Sequence, residues 1–132
     1  MATVDRCLCG AADTFDRCCG VYIGGNHLAP TPEALMRARY SAYSLGNIDF
    51  IQRTCAGQAL ADFDYLAAQE WSNLVQFVAL VIQDTHHTST HGHVQFQATY
   101  IENGKTQVLS EFSVFQYLQG AWVYVQALLP PA

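Results

Sequence analysis

Four cysteines crowd into a short stretch near the start of this chain, spaced as Cys7-x-Cys9 and then, after eight residues, Cys18-Cys19. Thiolates grouped in this way are soft metal ligands, and zinc suits them because it takes a tetrahedral shell of sulfur. Four cysteines complete that shell and leave no open position for a substrate, so the spacing predicts a structural site and argues against catalysis at the metal. Gly10 and Gly20 follow the two pairs and would allow the sharp turns that wrap the chain around an ion. Four thiolates around a divalent ion carry a formal surplus of two negative charges, and Arg6 and Arg17, each adjacent to a ligand, are the expected partners. The competing readings are a cluster of reduced thiols without metal, or a redox pair, although neighbouring cysteines bridge each other only with strain. The fifth cysteine, Cys55, stands alone and reads as a small buried hydrophobe. An odd number of cysteines clustered at one end does not suit a disulfide framework.

A second candidate site lies further along. Arg39 falls within the apolar arc of its helix, and a guanidinium sent into an apolar face needs an acceptor. Glu111, set between Leu109 and Phe112 in a strand-like run, is the acidic residue that best supplies one. Arg39, Tyr40, Tyr43, Trp71, Glu111 and Phe115 would then line an interior ligand pocket, the alternative being that the charged pair snorkels to the rim and the aromatics are plain core. A carboxylate neutralised by arginine is held ionised and is poorly tuned for proton transfer, so no catalytic constellation is read here. His86, His87, His91 and His93 cluster near a turn and read as a polar hairpin tip.

The elements that must position these residues follow from periodicity. Thr31, Pro32 and Glu33 carry the chemistry of a helix start, and the helix should run to about Leu45, before Gly46-Asn47. Leu35, Met36, Tyr40, Ala42 and Tyr43 share one face, with Arg37, Ser41 and Ser44 opposite. Short helices are expected over residues 48–55 and 59–70. Residues 74–84, 93–102, 107–119 and 122–128 are rich in β-branched and aromatic side chains and read as strands. Asn103-Gly104 and Gln119-Gly120 are tight-turn signals, so the strands should form an antiparallel meander. Helices followed by a meander give an α+β domain, with helices packed on a curved antiparallel sheet. The expected division is a knuckle over residues 1–26 and an α+β domain over residues 27–132.

Composition narrows the function classes. The 132 residues suit one ordinary core, and 51% hydrophobic content with 13% charged residues can fill it. A net charge of −5 with six basic residues argues against a broad electrostatic footprint for nucleic acid. The N-terminal residues lack the pattern of a leader, and no apolar run is long enough for a membrane helix, which makes a cytoplasmic protein the expectation.

The stretch from Cys7 to Cys19 resembles the SEC-C motif, the zinc-binding element at the C-terminus of the SecA translocase and in many small bacterial proteins. Ala29-Pro30, Pro32, Leu35-Met36-Arg37, Arg39-Tyr40 and Ala42-Tyr43 are similar to the bacterial YchJ family. Asn103-Gly104-Lys105, Glu111, Ser113, Phe115, Trp122 and Tyr124 extend that similarity over nearly the whole chain. The resemblance implies a zinc knuckle joined to a cone-shaped fold like that of nuclear transport factor 2 (NTF2-like). SEC-C elements usually carry lysines before the last ligand pair, where this chain has Phe15-Asp16-Arg17. The leading functional expectation is a zinc-binding protein-interaction or accessory module with a protein partner at the knuckle. The alternative is a small-molecule binder or enzyme using the interior of the cone, and a homodimer is compatible with either.

Overall fold

A computed structural model describes residues 6–128; the N-terminal residues 1–5, read above as lacking a leader, lie outside it, as do residues 129–132. A single-turn 3-10 helix over Phe15–Arg17 leads into α1 (Cys19–Ile23), then α2 (Pro32–Leu45), α3 (Ile48–Arg53), α4 (Gly57–Ala61) and α5 (Tyr65–Leu74). Four strands follow, β1 (Val75–His87), β2 (His91–Glu102), β3 (Lys105–Leu118) and β4 (Ala121–Leu128), paired antiparallel in chain order. None of the described helices is long and apolar enough to cross a membrane.

The start of α2 is built as its sequence dictates. The Thr31 side chain accepts from the Ala34 backbone N–H at 3.1 Å, Pro32 occupies the first turn, and Gly46 closes the helix in the left-handed region at φ 76°. The expected helix over residues 59–70 is instead two, α4 and α5, because Asp64 caps a new helix by accepting from Ala67 N–H at 3.0 Å. That carboxylate competes with the continuing backbone for the same donors and resets the chain direction. Asn103 and Gly104, with φ 52° and 74°, form the β2–β3 reversal, and Gln119 and Gly120 form the β3–β4 reversal in the same conformation.

The core is continuous from knuckle to sheet. Cys7, Cys9 and Cys19 belong to the same buried cluster as Leu35, Tyr40, Phe96 and Phe115. Gly92 in β2 stands where a Cβ would come within 2.5 Å of Pro32 Cγ and 2.9 Å of His87 Cβ. The absent side chain thus lets the first turn of α2 press against the sheet. A register shift between Val114 and Phe115 sets Phe115 opposite Tyr124 and leaves Val125 without a partner in the β3–β4 ladder.

Candidate functional site

The Sγ atoms of Cys7, Cys9, Cys18 and Cys19 all lie within 4.8 Å of one another and could hold a metal ion. Among the described residues they are the group of ligand-type side chains so gathered. Local hydrogen bonds bring them together. Cys7 N–H donates to Asp13 O at 2.8 Å and Gly10 N–H to Cys7 O at 3.0 Å, which folds the first pair into a turn. The 3-10 turn then returns the chain, and Cys18 N–H donates to Phe15 O at 3.1 Å. Gly10 has the expected left-handed backbone, at φ 89°. Gly20 does not make a turn; it sits in α1, where a Cβ would collide with the Phe15 carbonyl and ring at 2.8–3.0 Å. Its role is close packing.

Cys7, Cys9 and Cys19 are buried and Cys18 is half-buried. The Cys9 and Cys18 sulfurs are 3.6 Å apart, and those of Cys18 and Cys19 are 4.0 Å apart. The surroundings of Cys9 favour its ionisation. The neighbouring Cys19 side chain is the largest influence holding its thiol down, at about 4, with Cys18 and Arg37 assisting against burial. Burial pushes Cys18 up to about 12, and the bond to Cys9 raises Cys19.

The basic group that meets this charge is not the one anticipated. Arg6 and Arg17 are exposed. Arg37 of α2 donates through Nη1 to the Cys9 carbonyl at 3.0 Å and lies 3.9 Å from Cys9 Sγ, while its Nε donates to Glu33 at 3.0 Å. Ser41, one turn further along the helix, places Oγ 3.8 Å from Cys7 Sγ and is fully buried. Glu33, Arg37 and Ser41 stand at i, i+4 and i+8, so the helix face that reads as solvent-facing is the seat of the knuckle. A polar stripe holding a short serine among longer charged residues was the available signal.

The neighbouring face of α2 looks into the cone. Met36, Arg39, Tyr40 and Tyr43 line a cavity of about 220 Å³ with Trp71 and Phe77 on one side. Glu111, Ser113 and Tyr124 are among the residues of β3 and β4 opposite. Five of the six expected pocket residues are therefore brought together. Phe115 is not among the lining residues; it is fully buried, with its ring 5.7 Å from that of Tyr124.

Arg39 and Glu111 share the cavity without forming an ion pair; among the described residues Arg37–Glu33 is the arginine–carboxylate pair, and His93 contacts Asp84. Arg39 Nη1 donates to Ile51 O at 2.9 Å and Thr54 Oγ1 at 2.6 Å, and its guanidinium carbon sits 4.6 Å from the Tyr124 ring centroid. Glu111 accepts from Ser113 Oγ and, at 3.4 Å, from Tyr124 Oη. Tyr124, unassigned to the pocket by the sequence reading, is thus the element between them: its face takes the cation and its hydroxyl takes the carboxylate. Backbone bonds from Ala56 N–H to Tyr124 O and from Tyr124 N–H to Thr54 O fix β4 against the segment after α3. Burial, then the Glu111 charge, raises the Tyr124 hydroxyl well above its ordinary value despite Arg39. Cys55 is buried and donates to Ile51 O at 3.2 Å. The histidines lie at the β1–β2 end, where His93 pairs with Asp84 at 2.8 Å and stacks on Phe112.

The whole arrangement has counterparts in known proteins. A SEC-C motif containing protein from Rhodopseudomonas palustris, solved in solution, superposes with a TM-score of 0.90 at 30% identity, covering 96% of this chain and all of that one. A SEC-C motif containing protein from Psychrobacter arcticus shares the fold, with a TM-score of 0.75 at 23% identity, over 98% of this chain and 82% of its own. The UPF0225 protein YchJ of Shigella dysenteriae serotype 1 is 36% identical over 133 residues, spanning 94% of this chain and 83% of that protein. A UPF0225 protein of Geobacter sulfurreducens is 34% identical over 121 residues, spanning 89% of this chain and 75% of its own. Residues 31–127 match the family described as YchJ, middle NTF2-like domain. With a cysteine cluster able to hold a metal ahead of that domain, the chain belongs to the YchJ (UPF0225) family.

Proposed function

We propose that this chain is a zinc-binding accessory protein in which the metal is structural and the closed knuckle docks a protein partner. The spacing of the sulfurs carries the first half of this reading. A tetrahedron of thiolates at about 2.3 Å from zinc has edges of about 3.8 Å. The Cys9–Cys18 and Cys18–Cys19 separations of 3.6 and 4.0 Å bracket that edge. Four sulfur donors also favour zinc over the harder divalent ions, and a full shell leaves the metal no place for substrate.

The docking role is supported by what the knuckle shows to solvent. Leu8, between two ligands and therefore on fixed backbone, is 46% exposed. The acidic balance and the absence of lysines before Cys18 favour an apolar or basic protein surface over nucleic acid as its partner. Leu8→Asp separates the two halves of the reading. It should retain zinc, because Leu8 supplies no ligand, and lose a partner that both wild type and Cys55→Ala capture from cells. Retention of the same partner by Leu8→Asp would refute docking at the knuckle.

A further inference from the structure

The cone holds an arrangement for which the metal site has no use. One side of the cavity of about 220 Å³ is a wall of rings held edge to face: Tyr40 and Trp71 each lie 5.3 Å from Phe77, and Tyr43 lies 5.7 Å from Trp71. Such interlocked rings keep the wall in place without a ligand. The other side is ionic. Arg39 is 6% exposed, and its hydrogen bonds to Ile51, Thr54 and Cys55 all leave from Nη1. Both bonds to Glu111 fall on Oε2. Among the described residues no buried side-chain nitrogen or oxygen lacks a partner, so the remaining donors of Arg39 and Oε1 of Glu111 face open space. Both residues line this cavity, and Arg39 also lines an adjoining, more open cleft of about 440 Å³ with Cys55, Phe63 and Tyr124.

A cation and a carboxylate facing one cavity across a single tyrosine already balance. A guest bearing one charge would leave an uncompensated ion in a poorly solvated site, whereas a guest bearing one of each sign satisfies both groups. We propose that the cavity binds an apolar α-amino acid as its zwitterion. The carboxylate takes the free donors of Arg39, the ammonium group meets Glu111 Oε1, and the side chain lies against Tyr40, Tyr43, Trp71 and Phe77. The size agrees. A cavity of about 150 Å³ holds benzene, and drug-sized ligands need roughly 300 Å³ or more. The intermediate volume here suits one amino acid with an apolar side chain.

The test is calorimetric titration of the full chain with L-leucine, L-methionine and L-phenylalanine. For the leucine skeleton, isocaproate lacks the ammonium group and isopentylamine lacks the carboxylate. At least one amino acid should bind, and for leucine both analogues should be weaker by about tenfold or more, as expected for loss of a charged hydrogen bond. Glu111→Gln keeps the shape of the site and should weaken the amino acid by a similar factor while leaving isocaproate binding no weaker. Arg39 also anchors α3, so Glu111→Gln is the decisive variant. The proposal is overturned if none of the three amino acids binds at up to about 10 mM, if the analogues bind as tightly as leucine, or if Glu111→Gln binds every ligand as wild type does.

Discussion

Arg37 reaches from α2 to Cys9, donating to its carbonyl oxygen at 3.0 Å with the sulfur 3.9 Å away. One side chain therefore ties the knuckle to the domain mechanically and meets a cysteine of the cluster whose surroundings favour the thiolate. Groups hydrogen-bonded to metal ligands commonly change metal affinity by about 10–100-fold when removed. Arg37→Gln should therefore bind zinc about 10–100-fold more weakly, measured by competition with a chromophoric chelator, with the circular dichroism of the domain unchanged. Arg17→Gln, at an exposed position, should match wild type.

Metal removal should act locally. A knuckle without a core of its own would take its folding energy from a bound ion, while the sheet is held by pairing over its whole length. Chelation should speed hydrogen exchange over residues 7–23 and at the α2 face of Arg37 and Ser41, leaving β2 and β3 protected. Equal loss of protection in β2 would contradict this.

Gly92 gives a steric prediction. A methyl group there meets Pro32 and His87 at 2.5 and 2.9 Å, so α2 must move from the sheet to admit it. Gly92→Ala should destabilise the protein by about 1–3 kcal/mol, read from the urea midpoint, and widen or distort the cavity bounded by α2.

Much of this architecture was legible in advance because its signals are local. Thr31-Pro32-Glu33, Gly46 and Asn103-Gly104 each satisfy or strain backbone in a manner that hardly depends on the rest of the chain, and the elements begin and end where those residues stand. The cysteine spacing was legible for the same reason. What escaped the sequence depended on long-range placement. Ser41 looked solvent-facing until a segment more than thirty residues upstream covered it, as its contact with Cys7 at a separation of 34 residues shows. Arg39 and Glu111 line one cavity without the expected ion pair, and Tyr124 stands between them because β3–β4 pairing sets it opposite Phe115, a cross-strand placement that carries no local signal.

Alkaline pH should expose the tyrosines of the cone. Burial raises Tyr40 from 10.0 to about 12 and is also the leading cause of the raised values of Tyr43 and Tyr124. For a group whose folded value lies above its unfolded one, the stabilising contribution is complete below the unfolded value, 10.0, and is lost as pH rises through the folded value. Stability should therefore hold steady approaching pH 10 from neutrality, as far as these groups are concerned, and fall above it. Tyrosinate absorbance should show a late class of residues ionising together with the loss of near-ultraviolet circular dichroism. Ionisation of every tyrosine near its ordinary value with the fold intact would contradict their burial.

The most direct test of the central claim is native mass spectrometry of the protein purified without added metal, beside the Cys18→Ser, Cys19→Ser variant. A closed tetrathiolate site predicts one zinc ion per wild-type chain, none retained by the variant, and wild-type thiols at Cys7, Cys9, Cys18 and Cys19 that react with alkylating reagents only after chelation. A wild-type chain free of zinc, with those thiols reactive or joined as disulfides, would contradict it.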